Sequence, residues 1–161
     1  MESLKKQIKK ILDGAKRIAV VGVGSELRGD DATGLMVAAK LAKKLSGRQD
    51  VKVFLGETAP ENLSGEIKRY RPTHIILIDA ASMGEKTGSV RIFEPGHIKG
   101  VSFCTHQLPL SIFADYMAAS LGCKVNVIGI QPAKLNFMRK PSRQIVNASD
   151  KTAKAIFEAL P

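Results

Sequence analysis

Two apolar runs rich in β-branched residues, RIAVVGVG at 17–24 and THIILIDA at 73–80, constrain this chain more than any other feature. Each is apolar at nearly every position rather than at alternate ones, so a strand made from it has to be covered on both faces. Between and after them the pattern changes to helical spacing. DATGLMVAAKLAKKL (31–45) follows the first run, and APENLSGEIKRY (59–70), PLSIFADYMAASLG (109–122) and NASDKTAKAIFEAL (147–160) read as further helices. DVKVFLG (50–56) and KVNVIGIQP (124–132) read as two more strands, and SVRIFEP (89–95) as a half-exposed edge strand. Alternation of this kind predicts an α/β fold, a three-layer α/β/α sandwich on a mostly parallel sheet of about five strands. No linker, repeat or low-complexity segment divides the chain, so residues 1–161 are expected to form a single domain, with 1–14 as an extra basic helix at its start.

Size and composition agree with that class. A chain of 161 residues, 44% of them hydrophobic, can bury about 70% of its unfolded surface and needs no disulfide or metal to fold. No window approaches the roughly 18 unbroken apolar residues of a membrane helix, and MESLKKQIKKILDG lacks the apolar core and cleavage site of a secretory signal. Cys104 and Cys123 have no CxxC spacing. A cytoplasmic, reduced protein is the expectation. The net charge of +10 raises the question of nucleic acid, but many of the lysines, among them Lys5, Lys6, Lys9, Lys40, Lys43 and Lys44, fall on the polar faces of two predicted helices. With 5% aromatic residues there is no stacking platform, so neither nucleic acid nor membrane is expected as a partner, while an acidic protein partner suits the charge.

In open parallel sheets ligands gather outside the carboxyl ends of the strands. The stretch IAVVGVGSELRGDDATG (18–34) lies at one such end, Asp79 closes the apolar run of a second, and His106 in VSFCTHQLPL precedes a helix. A dinucleotide fingerprint fails there, since Gly22 and Gly24 are followed by Leu27 where the third glycine belongs, and Asp30 and Asp31 oppose a phosphate. No GK[ST] occurs, which excludes a P-loop. Asp30 can cap the helix starting near Asp31, leaving Asp31 to point into the cleft. Asp31, Asp79 and His106 then form a plausible divalent metal set for zinc, nickel or iron. Cys104 reads as a buried structural thiol, and His74 and His97 as surface or strand-end residues.

Taken together, GVGSELRGDDATG, LIDAASMG, THQLP and GIQP, in this order between about Ile18 and Pro132, resemble the hydrogenase maturation endopeptidases. APEN (59–62) and RPTHIILIDA (71–80) are similar to the branch serving the hydrogenase of formate hydrogenlyase complexes. The resemblance implies a phosphorylase/hydrolase-like fold and an endopeptidase that removes the C-terminal extension of a nickel-iron hydrogenase large-subunit precursor. It implies nickel supplied by the substrate, with another divalent metal able to take its place in vitro, and assigns Asp31, Asp79 and His106 as both metal-contacting and catalytic residues. The sequence departs from the family pattern at Ser25, where asparagine is usual, and at Ala32 and Glu57, where glycine is usual; neither of the latter two is expected to adopt a positive φ. Two alternatives stay open, a peptidyl-tRNA hydrolase-like esterase, whose asparagine and histidine near the first glycine loop are absent, and a non-enzymatic ligand-binding α/β protein.

Overall fold

The computed structural model describes residues 2–98, 101–104, 108–133 and 135–161. The elements run α1 (Leu4–Ile11), β1 (Ile18–Val23), α2 (Thr33–Lys44), β2 (Val51–Glu57), α3 (Ser64–Tyr70), β3 (His74–Ser82), β4 (Val90–Phe93), β5 (Ser102–Phe103), α4 (Leu110–Leu121), β6 (Lys124–Ile130) and α5 (Arg143–Ala159). All five expected strands are present, and the sheet follows the order β2-β1-β3-β6-β4. The first four strands in that order are parallel, while β4 pairs antiparallel with β6 at the edge. The sixth strand, β5, has two residues and pairs antiparallel with Ala81 and Ser82, a length too short to leave a pattern in sequence. That pairing carries β3 two residues past the end expected at Ala80, so Asp79 sits within the strand, in register with Gly129 of β6.

Because successive side chains point to opposite faces, the apolar runs supply two cores at once. Ile18, Val20, Ile76, Ile78, Ile128 and Ile130 pack under α1, α2 and α5. Ala19, Val21, Val23, Ile75, Leu77 and Val127 pack under α3 and α4, against Ile67, Phe113 and Met117. The basic first helix is part of this arrangement, with Ile8 and Leu12 buried in the first core and Lys5 paired to Glu158 at 3.1 Å on the outside. Its lysines are a solvated face, as expected.

The glycines of the first motif do more than turn the chain. A Cβ on Gly22 would overlap the carbonyl of Gly34, and a Cβ on Gly34 would overlap the carbonyl oxygens of Ile78 and Val23. Helix α2 therefore lies with its backbone directly on the ends of β1 and β3. Gly24, at φ +142°, sits beneath the carbonyl of Asp31 in the same way. The two departures from the family pattern behave differently. Ala32 is right-handed at φ −70°, as a non-glycine prefers. Glu57 takes φ +49° against expectation, because its carbonyl must accept the Gly24 N–H at 2.8 Å and the tertiary contact overrides the local preference.

His74 and His97 also separate. His97 is exposed beside Glu94, whereas His74 opens β3 from a buried position with Nδ1 3.0 Å from Thr73 Oγ1. Burial, then the Lys124 charge, lowers the His74 pKa from its ordinary value. Its folded form is neutral while the unfolded chain takes up a proton below about pH 6.5, so stability present above that pH is lost on acidification. The melting temperature should fall between about pH 7 and pH 5, and His74→Gln should flatten that slope, as read by calorimetry. In the same assay Gly34→Ala should cost about 3 kcal/mol or more through backbone overlap. Gly65→Ala, whose Cβ would meet only the tip of Arg69 at 3.9 Å within α3, should instead gain roughly 0.5–1 kcal/mol.

Candidate active site at the carboxyl ends of β1 and β3

The chain leaves β1, returns through α2 to β2 on one side, and then crosses to β3 on the other. The carboxyl ends of β1 and β3 are therefore the topological switch point of the sheet, where open α/β folds form their crevice. Asp31 and Asp79 both lie there. Asp31 is fully buried in the turn Gly29–Ala32 that leads into α2. Asp79 is fully buried one residue after Ile78, whose carbonyl Gly34 touches, and its Oδ1 accepts the Ala80 N–H at 2.8 Å. The close approach of α2 thus brings the two carboxylates into one neighbourhood.

Cys104 reports on both. Its N–H donates to the Ala80 carbonyl at 3.2 Å, which holds the segment after β5 against β3. The half-buried thiol is pushed up to about 12, by burial first and then by the negative charges of Asp79 and Asp31, with Arg28 opposing them. A thiol so placed stays protonated and is no nucleophile at neutral pH. Cys104 is thus half-buried rather than fully buried as expected, and it borders the carboxylates. His106, the third residue of the expected set, lies outside the described residues, as do its neighbours Thr105 and Gln107. Among the described residues no cluster of three or more His, Cys, Asp and Glu could hold a metal ion.

The acidic pair divides its work in a way the sequence did not disclose. Asp30 does not cap α2, whose N-terminal residue has no side-chain cap. Its buried carboxylate instead accepts the Ala133 N–H at 2.7 Å, the Ser142 N–H at 2.6 Å and the Ser142 hydroxyl at 3.1 Å. These bonds hold both ends of the loop between β6 and α5, and α5 consequently begins at Arg143, four residues earlier than the spacing suggested. Gln131 of the GIQP motif is likewise structural. Its Oε1 accepts the Met83 N–H at 2.7 Å and the Glu85 N–H at 3.3 Å, fixing the loop beyond β3.

Against the turn that carries Asp31 runs a cleft of about 330 Å³ between the 24–27 loop and the end of β2, with Leu35 and Leu55 along it and Glu26 and Glu57 at its rim. A larger hollow, about 700 Å³, lies at the opposite ends of the strands, between α1 and Lys124–Asn126, away from the buried carboxylates. The cleft beside the 24–27 loop is the smaller of the two, and Gly24 in its wall packs against the carbonyl of Asp31.

The whole arrangement has relatives. Residues 35–159 match the model of the HycI hydrogenase maturation proteases. The chain belongs to the hydrogenase maturation protease family. It is 34% identical over 127 residues to the hydrogenase 3 maturation protease of Escherichia coli, spanning 78% of this chain and 80% of that protein. The crystal structure of a [NiFe] hydrogenase maturation protease from Thermococcus kodakarensis superposes with a TM-score of 0.88 at 32% identity, covering 96% and 98% of the two chains. The maturating endopeptidase HybD of E. coli shares the fold at a TM-score of 0.67 and 21% identity, over 89% and 91%. These family likenesses give no support to the peptidyl-tRNA hydrolase or binding-protein alternatives. Among the described residues no helix is long and apolar enough to cross a membrane.

Two measurements test the geometry at this end of the maturation protease. Asp30→Asn should lower stability by about 1.5–3 kcal/mol, the worth of bonds to a charged acceptor, and should open the 133–142 loop to limited proteolysis. Alkylation of Cys104 in the folded protein at pH 8 should be slower than in the denatured chain by on the order of a thousandfold, from thiolate fraction alone.

Proposed function

We propose that this chain is an endopeptidase that removes the C-terminal extension from the precursor of a nickel-iron hydrogenase large subunit, recognising the substrate's nickel through Asp31, Asp79 and His106. The observation that carries the reading is the placement of two fully buried carboxylates at the switch point of the sheet, in a chain of the maturation protease family. Family membership supports the coarser part, a hydrolase acting on a hydrogenase precursor. The donor chemistry of two carboxylates and an imidazole supports the finer part, since such a set suits a borderline divalent ion.

The scissile peptide approaches along the cleft lined by Leu35 and Leu55, whose wall at Gly24 packs against the turn carrying Asp31. A carboxylate shielded from bulk water accepts the proton of the attacking water, and the same group returns it to the departing amine. Substrate-borne nickel, when present, polarises the scissile carbonyl and positions the extension. Asp31 and Asp79 hold their places because the turn and the strand that carry them are fixed by backbone contact, so little reorganisation accompanies the reaction. The protonated Cys104 thiol offers no competing nucleophile beside them.

Asp31→Asn, Asp79→Asn and His106→Ala should each reduce processing by about a hundredfold or more, while Cys104→Ala should stay within a few-fold of wild type. The measurement is mass spectrometry of a cognate precursor, nickel-loaded and nickel-free, after incubation with each protein. Loss of the extension from the loaded form only is expected. Full processing by all three site variants would remove the site assignment, and equal cleavage of both precursor forms would remove nickel as the recognition element.

A further inference from the structure

The loop between β6 and α5 is built in a way that the reaction described above does not require. Its tip exposes Phe137 and Met138, 67% and 72% accessible, and the neighbouring 25–28 loop exposes Leu27 at 56%. Three large apolar side chains in solvent on two touching loops form a patch of the kind that marks an interaction surface. The tip is also held in place. The Met138 N–H donates to the Leu27 carbonyl at 2.7 Å, the Gly29 N–H donates to the Arg139 carbonyl at 3.0 Å, and Met138 is kept at φ +60°, a left-handed conformation that costs a residue with a Cβ. At the base, Asp30 fastens Ala133 and Ser142. The same short turn that places Asp31 at the site therefore places this tip beside it.

The charge around the patch is one-sided. Residues 133–143, AKLNFMRKPSR, contain four basic and no acidic residues, and Arg139, Lys140 and Arg143 are exposed. Glu26, next to Leu27, is the acidic exception on the adjoining loop. Phe, Met and Arg are the residues that interface cores favour, and their presentation from a pinned loop reduces the entropy lost on docking.

We infer that the Phe137–Met138 tip and its basic rim are the docking surface for the folded body of the protein substrate, seating on an apolar depression bordered by acidic residues. This rests on the proposed function, because it is a folded precursor rather than a free peptide that gains from a second foothold beside the cleft. The predominantly positive rim disfavours a second copy of this chain as occupant and favours an acidic partner.

The test compares wild type, Phe137→Ser/Met138→Ser and Arg139→Glu/Lys140→Glu on the nickel-loaded precursor. All four positions are exposed, so melting temperatures close to wild type are expected. Both double variants should raise KM and the precursor Kd by at least about tenfold with kcat little changed, and the charge variant should also weaken the salt dependence of KM. A wild type that processes the precursor alongside variants of unchanged KM and Kd would overturn the docking surface and leave the proposed function intact. A wild type that processes nothing would instead overturn the proposed function, and this inference with it. Sedimentation showing wild-type self-association abolished by Phe137→Ser/Met138→Ser, or loss of binding to phosphatidylglycerol vesicles with precursor affinity unchanged, would assign the tip to a different occupant and likewise refute it.

Discussion

The contact of bare backbone between Gly34 and the carbonyls of Val23 and Ile78 governs the active end of this molecule. A helix normally packs on a sheet through side chains, about 10 Å from it; here three glycines remove that spacer. Gly22 accommodates the carbonyl of Gly34, and Gly24 accommodates that of Asp31. As a result the turn Gly29–Ala32 is pressed onto the strand ends, and its acidic side chains are sealed from water without any movement of a lid. Burying two carboxylates side by side is costly and would be opposed by any looser packing. The glycine contact fixes where they sit.

From that one turn, adjacent aspartates look in different directions. Asp31 lies at the switch point with Asp79, and Cys104 feels the charge of both. Asp30 reaches across the chain to the start of α5, accepting three hydrogen bonds from residues more than a hundred positions away. Site and peripheral loop are thereby tied to the same four residues. The Gly29 N–H, bonded to the Arg139 carbonyl, joins the turn to the loop a second time. The strained Glu57 completes the frame on the other side, holding Gly24 from β2.

The layered fold was legible because its cause is local: apolar runs with no polar face can only be strands covered on both sides. The place of Asp79 at the end of β3 was legible for a similar reason, as the polar residue interrupting such a run, and Asp31 stood out only through the resemblance of its motif, since its spacing alone fits a helix cap as well. What could not be read was how Asp30 differs from Asp31. The two are chemically identical neighbours, and only the position of Ser142 and Ala133 in space marks Asp30 as the structural anchor. The two-residue β5 was hidden because so short a pairing has no periodicity of its own, and the conformation of Glu57 because a partner on another strand outweighed its intrinsic preference.

By itself, then, the sequence determined the class of fold, the order of its elements and the family, since hydrophobic period and motif order are properties of neighbouring residues. The tertiary structure alone decided that Asp30 binds the loop, that burial and the neighbouring carboxylates push the Cys104 thiol up, and that Phe137, Met138 and Leu27 share one exposed surface. Those outcomes depend on distances between segments far apart in the chain, and such distances are set by packing, which no local pattern encodes.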